Sequence, residues 1–263
     1  MTSHVLHPLL DPSRRPIVGH RGNAAHAPEN TLESFRQALA AGAECLEMDV
    51  HLSADGVVVV IHDATLDRTT DATGMIADLP IDRIRQADAG ARFSPDARSF
   101  PYRGTGLRVP TFEEVLREFS DVPLLIEIKT QRASAEARRL IEQYGAEARC
   151  VVEAFDGRAL DIFRGSRIAV GASSADVKRL LHRVITRRPA RALPYAVMCI
   201  PRWMRGIRVP IASLVRLTRP AGCLVHVWTI NDPEIARRLW SVGVHGIVSD
   251  DPGRMRRTRD ADA

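Results

Sequence analysis

Aromatic residues are scarce, 5% of 263 positions, and they are not interleaved with basic side chains. A groove that stacks the bases of single-stranded nucleic acid is therefore not expected. Only four cysteines occur, Cys45, Cys150, Cys199 and Cys223, far apart and mostly inside apolar runs. With no C-x-x-C pair and no zinc spacing, free thiols in a reducing cytoplasm are the expectation. No apolar stretch approaches the roughly 20 residues of a membrane-spanning helix; runs such as Val57 to Ile61 have strand length. The first 16 residues show no basic segment followed by an apolar one, so no secretory leader is read there. Charge of one sign is not dominant either. The 37 Lys and Arg exceed the 32 Asp and Glu by five, with the densest basic cluster at Arg254, Arg256, Arg257 and Arg259. Such an excess can attract anionic substrates or lipid headgroups, but it reads first as solvated surface.

What is present is core-forming material. Hydrophobic residues make up 45% and charged residues 26%, a globular composition at the natural length of one (β/α)₈ barrel. Eight short apolar runs stand out, four of them ending in a polar residue: 16–20, 45–51, 124–129, 150–155, 168–172, 195–200, 224–230 and 246–249. Between them lie helix-like segments at 30–41, 111–119, 133–144, 157–164, 175–186 and 232–242. Strands alternating with helices imply parallel pairing, and eight such units close a barrel. The expected fold is an α/β (β/α)₈ TIM barrel in one domain, 1–263. Residues 66–110 fit the alternation poorly and read as a small insertion over one barrel mouth, after a hairpin on the second strand. That hairpin rests on Asp55-Gly56 between apolar runs. With a two-residue loop, Ala54 would face Val57 and Asp49 would lie opposite His62.

Glu47 and Asp49 are two apart on a strand, so both carboxylates share a face. Two acids beside an apolar core need a compensating cation, and carboxylate ligands select a hard ion such as Mg²⁺ or Ca²⁺. Glu127 and Lys129 repeat the spacing and offer a third carboxylate and a cation. His20, followed by Arg21, ends the first strand, and His62 ends the hairpin. A metal, two histidines, Arg21 and Lys129 at one mouth point to phosphoryl chemistry: cations hold the phosphate while one imidazole takes a proton and the other gives one. Phe155 and Trp228 at strand ends can wall the non-phosphate part of a small-molecule substrate. Asn30 reads as a helix cap before it reads as a ligand contact, and Glu29 as structural or orienting. His226 can face either way. Residues 201–205 read as a loop that can touch a membrane surface through Trp203 and its basic neighbours.

An ordered set of motifs resembles the glycerophosphodiester phosphodiesterases, a phospholipase-C-like group of TIM barrels. It runs through Val18-Gly19-His20-Arg21-Gly22, Ala27-Pro28-Glu29-Asn30-Thr31, Glu47-Met48-Asp49, His62-Asp63-Ala64-Thr65-Leu66-Asp67-Arg68, Glu127-Ile128-Lys129, Val227-Trp228-Thr229-Ile230-Asn231-Asp232 and Gly246-Ile247-Val248-Ser249-Asp250. The resemblance implies a cation on Glu47, Asp49 and Glu127, His20 and His62 as general acid and base, and Arg21 and Lys129 on the phosphate. It implies hydrolysis of a glycerophosphodiester to sn-glycerol 3-phosphate and an alcohol. Departures are Ser249 for the usual threonine, His245 for aspartate, and Glu153-Ala154 where a serine normally precedes the phenylalanine. Two other readings stand beside it, a lipid phosphodiesterase acting on lysophospholipids and a non-catalytic barrel used for binding. The ion, the leaving alcohol and the oligomeric state are left open by the sequence.

Overall fold

Parallel strands covered on both faces read as continuous Val, Ile and Leu runs, and such runs dominate this chain. The computed structural model describes residues 7–190 and 192–262. In chain order the strands are β1 (Ile17–Gly19), β2 (Cys45–Leu52), β3 (Val58–Val60), β4 (Leu124–Ile128), β5 (Cys150–Glu153), β6 (Ala169–Val170), β7 (Val197–Pro201), β8 (Trp203–Met204), β9 (Ile207–Arg208), β10 (Leu224–Trp228) and β11 (Gly246–Ser249). The helices are α1 (Leu32–Ala40), α2 (Ile81–Ile84), α3 (Phe112–Glu118), α4 (Gln131–Gln143), α5 (Ser174–Ile185), α6 (Ile211–Thr218), α7 (Pro233–Ser241) and α8 (Pro252–Asp260). Eight strands pair in parallel in the order β6-β5-β4-β2-β1-β11-β10-β7. A Gly171–Val197 bridge closes the ring between β6 and β7, with Ala172 N–H donating to the Val197 carbonyl at 2.9 Å. This is the expected (β/α)₈ barrel.

Inside the barrel, Val18, Cys45, Leu125, Val151, Val197 and Val248 form one buried layer, with Leu9 from a 3-10 turn (Pro8–Leu10) packed against them. Outside, two larger clusters bury the helices against the strands. Each fully buried Val or Leu contributes about 1.5–3 kcal/mol. Helix starts are set by side-chain caps: Thr31 for α1, Thr111 with Glu114 in a capping box for α3, Ser173 with Asp176 for α5, and Asp232 before Pro233 for α7.

Several local expectations are corrected. The hairpin pairs Val50 with Val60 and Leu52 with Val58, and Ser53 N–H donates to the Val57 carbonyl. Its loop is therefore three residues, 54–56, with Gly56 left-handed at φ 86°, the usual three-residue solution. The register moves by one, so Asp49 meets Ile61 rather than His62, and Ile61 N–H donates to the Asp49 carbonyl. Segment 157–163 is a 3-10 turn. Helices α6 and α8 were not anticipated: α6 follows Pro210 with no capping side chain, and α8 opens Pro-Gly among arginines. Residues 201–205 are not a plain loop, because β8 and β9 form a hairpin about Arg205 and Gly206. The Asn30 cap is also wrong: Thr31 caps α1, and Asn30 serves the site below. The segment between β3 and α3 carries α2 and packs Leu66, Ile76, Ile84 and Ala87 against Val59 and Ile61. It is tied to the β1–α1 loop by Arg68–Glu29 and to α1 by Gln37 donating to the Tyr102 hydroxyl.

Candidate active site

Sequence alternation on β2 sends Cys45 into the interior layer, so Glu47 and Asp49 follow on the same face, 4% and 1% exposed. In-register pairing of β2 with β4 places Glu127 beside Asp49. One carboxylate oxygen from each of Glu47, Asp49 and Glu127 lies within 4.8 Å of the others. Lys129 Nζ sits 2.8 Å from Asp49 Oδ1 and 2.8 Å from Glu127 Oε1, while Arg21 Nε lies 3.3 Å from Asp49 Oδ2. Asn30 donates from Nδ2 to Asp49 Oδ2 at 2.9 Å.

Reaching this geometry takes an unusual turn after β1. Arg21 and Asn30 are both left-handed, at φ 52° and 56°, a conformation that costs a non-glycine residue roughly 1–2 kcal/mol. In return Arg21 N–H donates to Glu47 Oε2 at 2.7 Å, and Asn30 N–H donates to the Arg21 carbonyl. Gly22, at φ 92°, cannot be replaced, since a Cβ there would lie 2.4 Å from Ser34 Oγ.

The acids are electrostatically uneven. Burial, then the Asp49 charge, pushes Glu47 up to about 8. Burial also raises Glu127 despite Lys129. At Asp49 burial is outweighed by Lys129 and Arg21, and its carboxyl is held below the usual range.

Each expected histidine is gripped at Nδ1. His20 Nδ1 lies 2.6 Å from Asp250 Oδ1, and Asn231 Nδ2 donates to Asp250 Oδ2 at 2.7 Å. His62 Nδ1 lies 2.6 Å from Asp63 Oδ1, and Asp63 also binds Arg68. Arg68 and hydrogen-bonded His62 hold Asp63 well below the carboxylate range; at Asp250 burial is outweighed by the His20 hydrogen bond. Ionised partners make Nδ1–H the donor and leave Nε2 free to exchange a proton. Burial lowers His20, but Asp250 and the Glu47 charge outweigh it and its pKa is raised. A continuous ion-pair chain, Arg21–Glu29–Arg68–Asp63–His62, links the two halves of the mouth.

His20, Arg21, Glu47, His62, Glu127, Phe155 and Trp228 line one cavity. Phe155 and Trp228 meet edge to face at 6.2 Å. All the expected site residues are thus brought to one mouth, Lys129 included through its two acid contacts. His226 is not there; it lies fully buried against the Leu9 carbonyl at the opposite end. Sequence reasoning gave no site role to Asp63, Asp250, Asn231, Arg68, Glu153 and His51, whose Nε2 bonds the His62 carbonyl at 3.0 Å. Asp63 had a signal, adjacency to His62. Asp250 closes the Gly246–Asp250 motif, but its pairing with His20, 230 residues away, had no local signal.

Comparison with known proteins matches the glycerophosphoryl diester phosphodiesterase family model over residues 20–254. The chain belongs to this family. A glycerophosphodiester phosphodiesterase of Caldanaerobacter subterraneus is 28% identical over 90% of this chain and 94% of its own. Among solved structures, a phosphodiesterase of Oleispira antarctica, in complex with the product sn-glycerol-3-phosphate, superposes with TM-score 0.77 at 28% identity, covering 93% of this chain and 96% of its own. A glycerophosphodiester phosphodiesterase of Agrobacterium tumefaciens gives 0.74 at 26% identity over 92% and 99%. As a member of the family, the chain is a phosphoric diester hydrolase with glycerophosphodiester phosphodiesterase activity.

Proposed function

We propose that the chain hydrolyses glycerophosphodiesters to sn-glycerol 3-phosphate and an alcohol, using a divalent cation, Mg²⁺ or Ca²⁺, with His20 and His62 as proton carriers. The observation that carries this reading is three clustered carboxylates sharing a mouth with two aspartate-held imidazoles. The donor set fits a hard divalent ion: all ligands are carboxylate oxygens. Glu127 Oε1 also makes no well-aligned hydrogen bond, although Lys129 is close. Glu47, pushed up to about 8 by burial and Asp49, is a carboxyl that a neighbouring cation would ionise.

Glu47, Asp49 and Glu127 would hold the ion, which when bound supplies Lewis-acid stabilisation of charge on phosphoryl oxygens. Arg21 and Lys129 bind the non-bridging oxygens, Arg21 kept in place by Glu29 and Asp49. One imidazole takes a proton at Nε2 from the attacking oxygen, that of water or of a neighbouring substrate hydroxyl whose cyclic phosphate water then opens, while the other gives one to the departing oxygen. Asp63 and Asp250 fix the two tautomers. Phe155 and Trp228 wall the organic part and exclude water. A lysophospholipid substrate is favoured by one feature, an apolar cavity running on from the site past Val177, Ile200 and Met204. A reducing compartment belongs to this reading, given four unpaired thiols.

The test is release of glycerol 3-phosphate from glycerophosphocholine and glycerophosphoethanolamine, with Mg²⁺ or Ca²⁺ and again with EDTA. Metal-dependent release is expected. No release from these or from lysolipids would leave a binding barrel as the better account. Glu47→Ala should weaken cation affinity by calorimetry, and unchanged affinity would remove Glu47 from the ligand set.

A further inference from the structure

The modest net charge hides a strong asymmetry. Residues 177–231 contain no Asp or Glu and eleven Lys and Arg, which leaves 26 basic residues against 32 acids in the rest of the chain. The acid-free stretch is one contiguous sector of the barrel, from α5 through β7, β8, β9 and α6 to β10. Elsewhere 12 of the 25 arginines are paired with carboxylates, as in Arg36–Glu118, Arg85–Glu114 and Arg237–Asp262, whereas in this stretch Arg179 alone is paired among the described residues. Here Arg202, Arg205 and Arg208 have no ion pair among the described residues, and all three sit on one hairpin.

That hairpin is also apolar where a soluble hairpin would be polar. Trp203 is 55% exposed and Ile207 73% exposed. Trp203 lies opposite Arg208 and Met204 opposite Ile207, so apolar side chains occupy both faces of the ribbon next to its tip. The tip itself is Arg205-Gly206, both left-handed at φ 50° and 78°, the tight two-residue turn that makes a short ribbon stiff. At its foot, a groove of about 480 Å³ is lined by Arg202, Arg208 and Arg238 among apolar residues of α6 and α7. The hairpin follows the end of β7 beside the mouth, and Met204 reaches into the cavity that holds Phe155 and Trp228.

We propose that the β8–β9 hairpin docks the barrel on an anionic phospholipid surface, with Trp203 and Ile207 at the interface and Arg202, Arg205 and Arg208 on lipid phosphates. Exposed Trp and Ile beside unpaired arginines are the interfacial combination: the ring and the branched chain leave water while the guanidiniums stay at headgroup depth. The arginines add attraction that falls off within a Debye length. Docked this way, the mouth opens at the lipid surface with Met204 and Phe155 nearest to it. The inference does not depend on the catalytic reading, since surface binding is measured without turnover.

The test is co-sedimentation of the full chain with vesicles of phosphatidylcholine alone and of phosphatidylcholine mixed with phosphatidylglycerol, read together with tryptophan emission. Binding to the mixed vesicles with a blue shift, weakened by salt and absent on phosphatidylcholine alone, is expected. Replacing Arg202→Gln, Arg205→Asn and Arg208→Gln together should weaken partitioning about a hundredfold, at about fivefold per arginine; asparagine is chosen because it tolerates the left-handed turn. Trp203→Ala with Ile207→Ala should remove the blue shift. Both variants should keep wild-type thermal melting and wild-type turnover of a soluble diester. Equal binding to both vesicle types, or wild-type binding by the variants, would overturn the proposal. So would self-association by sedimentation velocity that the Trp203 and Ile207 changes abolish in a chain that ignores vesicles, which would make a second copy the occupant.

Discussion

At the mouth, His20 is half-buried but bonded at 2.6 Å to Asp250, and its pKa is raised. At the other end of the same barrel His226, fully buried, bonds only the Leu9 carbonyl and is pushed down to about 3, by burial and then by neighbouring His245. Burial pulls both imidazoles the same way; the carboxylate decides the outcome. At the mouth Asp250 and the Glu47 charge raise the proton affinity of His20. The far end, where His7 is likewise pushed down by burial to about 4, uses neutral imidazoles as packing.

Removing the imidazoles of the mouth should have the largest effect. His20→Ala and His62→Ala should each lower kcat by about 10⁴-fold at most and 10²-fold at least, with the fold retained by circular dichroism. Ordinary turnover in either would move that histidine from the chemistry into the packing class of His226.

Asp250→Asn isolates the partner itself. It keeps the shape but drops the charge and disturbs the tautomer, so a fall in kcat of about 10²–10⁴-fold is expected. Because Asp250 raises the His20 pKa, its loss should move the His20 limb of the pH–rate profile to lower pH. A limb that stays in place would show that His20 does not titrate through Asp250.

How much of this contrast was legible beforehand depends on sequence distance. His20, Glu47, Asp49, His62, Glu127 and Lys129 announced themselves through period-two spacing at strand ends, which local chain geometry enforces. Eight alternating runs gave the barrel. The partner that raises the His20 proton affinity was hidden, because Asp250 meets His20 only after the ring closes between β11 and β1. Asn30 was misread because Asn at a helix start satisfies a capping rule, whereas here Thr31 caps and Asn30 reaches across to Asp49. The hairpin register failed by one because an Asp-Gly pair fits two- and three-residue loops alike. The basic sector was diluted to invisibility in the overall charge.

The far end should show its own signature in stability. A histidine held neutral by the fold contributes fully above its unfolded pKa near 6.5 and loses that contribution as pH falls toward its folded value of about 3. Several kcal/mol of acid sensitivity would follow from His226 at full strength, of the order of 2–4 kcal/mol by pH 4. His226→Gln keeps a donor toward Leu9 without the titration. Denaturant unfolding should therefore show a flatter loss of stability between pH 6.5 and 4, with turnover within about twofold of wild type. A variant as acid-sensitive as wild type would place the acid lability elsewhere.

Glu153 breaks the simple division between the two ends, and it offers the smallest and most informative test. It stands at the mouth, opposite Glu127 in the β4–β5 register, yet among the described residues it has no ion pair, and Lys129, held by Asp49 and Glu127, acts on it only from a distance. Burial is the main cause that pushes it up to about 8, with Glu127 adding to it and the Cys199 contact opposing it. Electrostatically it is a far-end residue placed at the mouth, a carboxylic acid held neutral. The sign follows from that: an acid whose folded pKa is raised loses stability as pH climbs from about 4.5, its unfolded value, toward 8. Glu153→Gln removes the ionisable group while keeping its volume. The variant should match wild type at pH 5 and be more stable at pH 8 by about 1 kcal/mol, a figure reduced because the cavity opens to solvent. Turnover should change by less than about tenfold, since the group contacts neither imidazole. Equal stability at both pH values would mean that Glu153 is already ionised and paired. Its carboxylate would then belong with Glu47, Asp49 and Glu127 as part of the cation's surroundings.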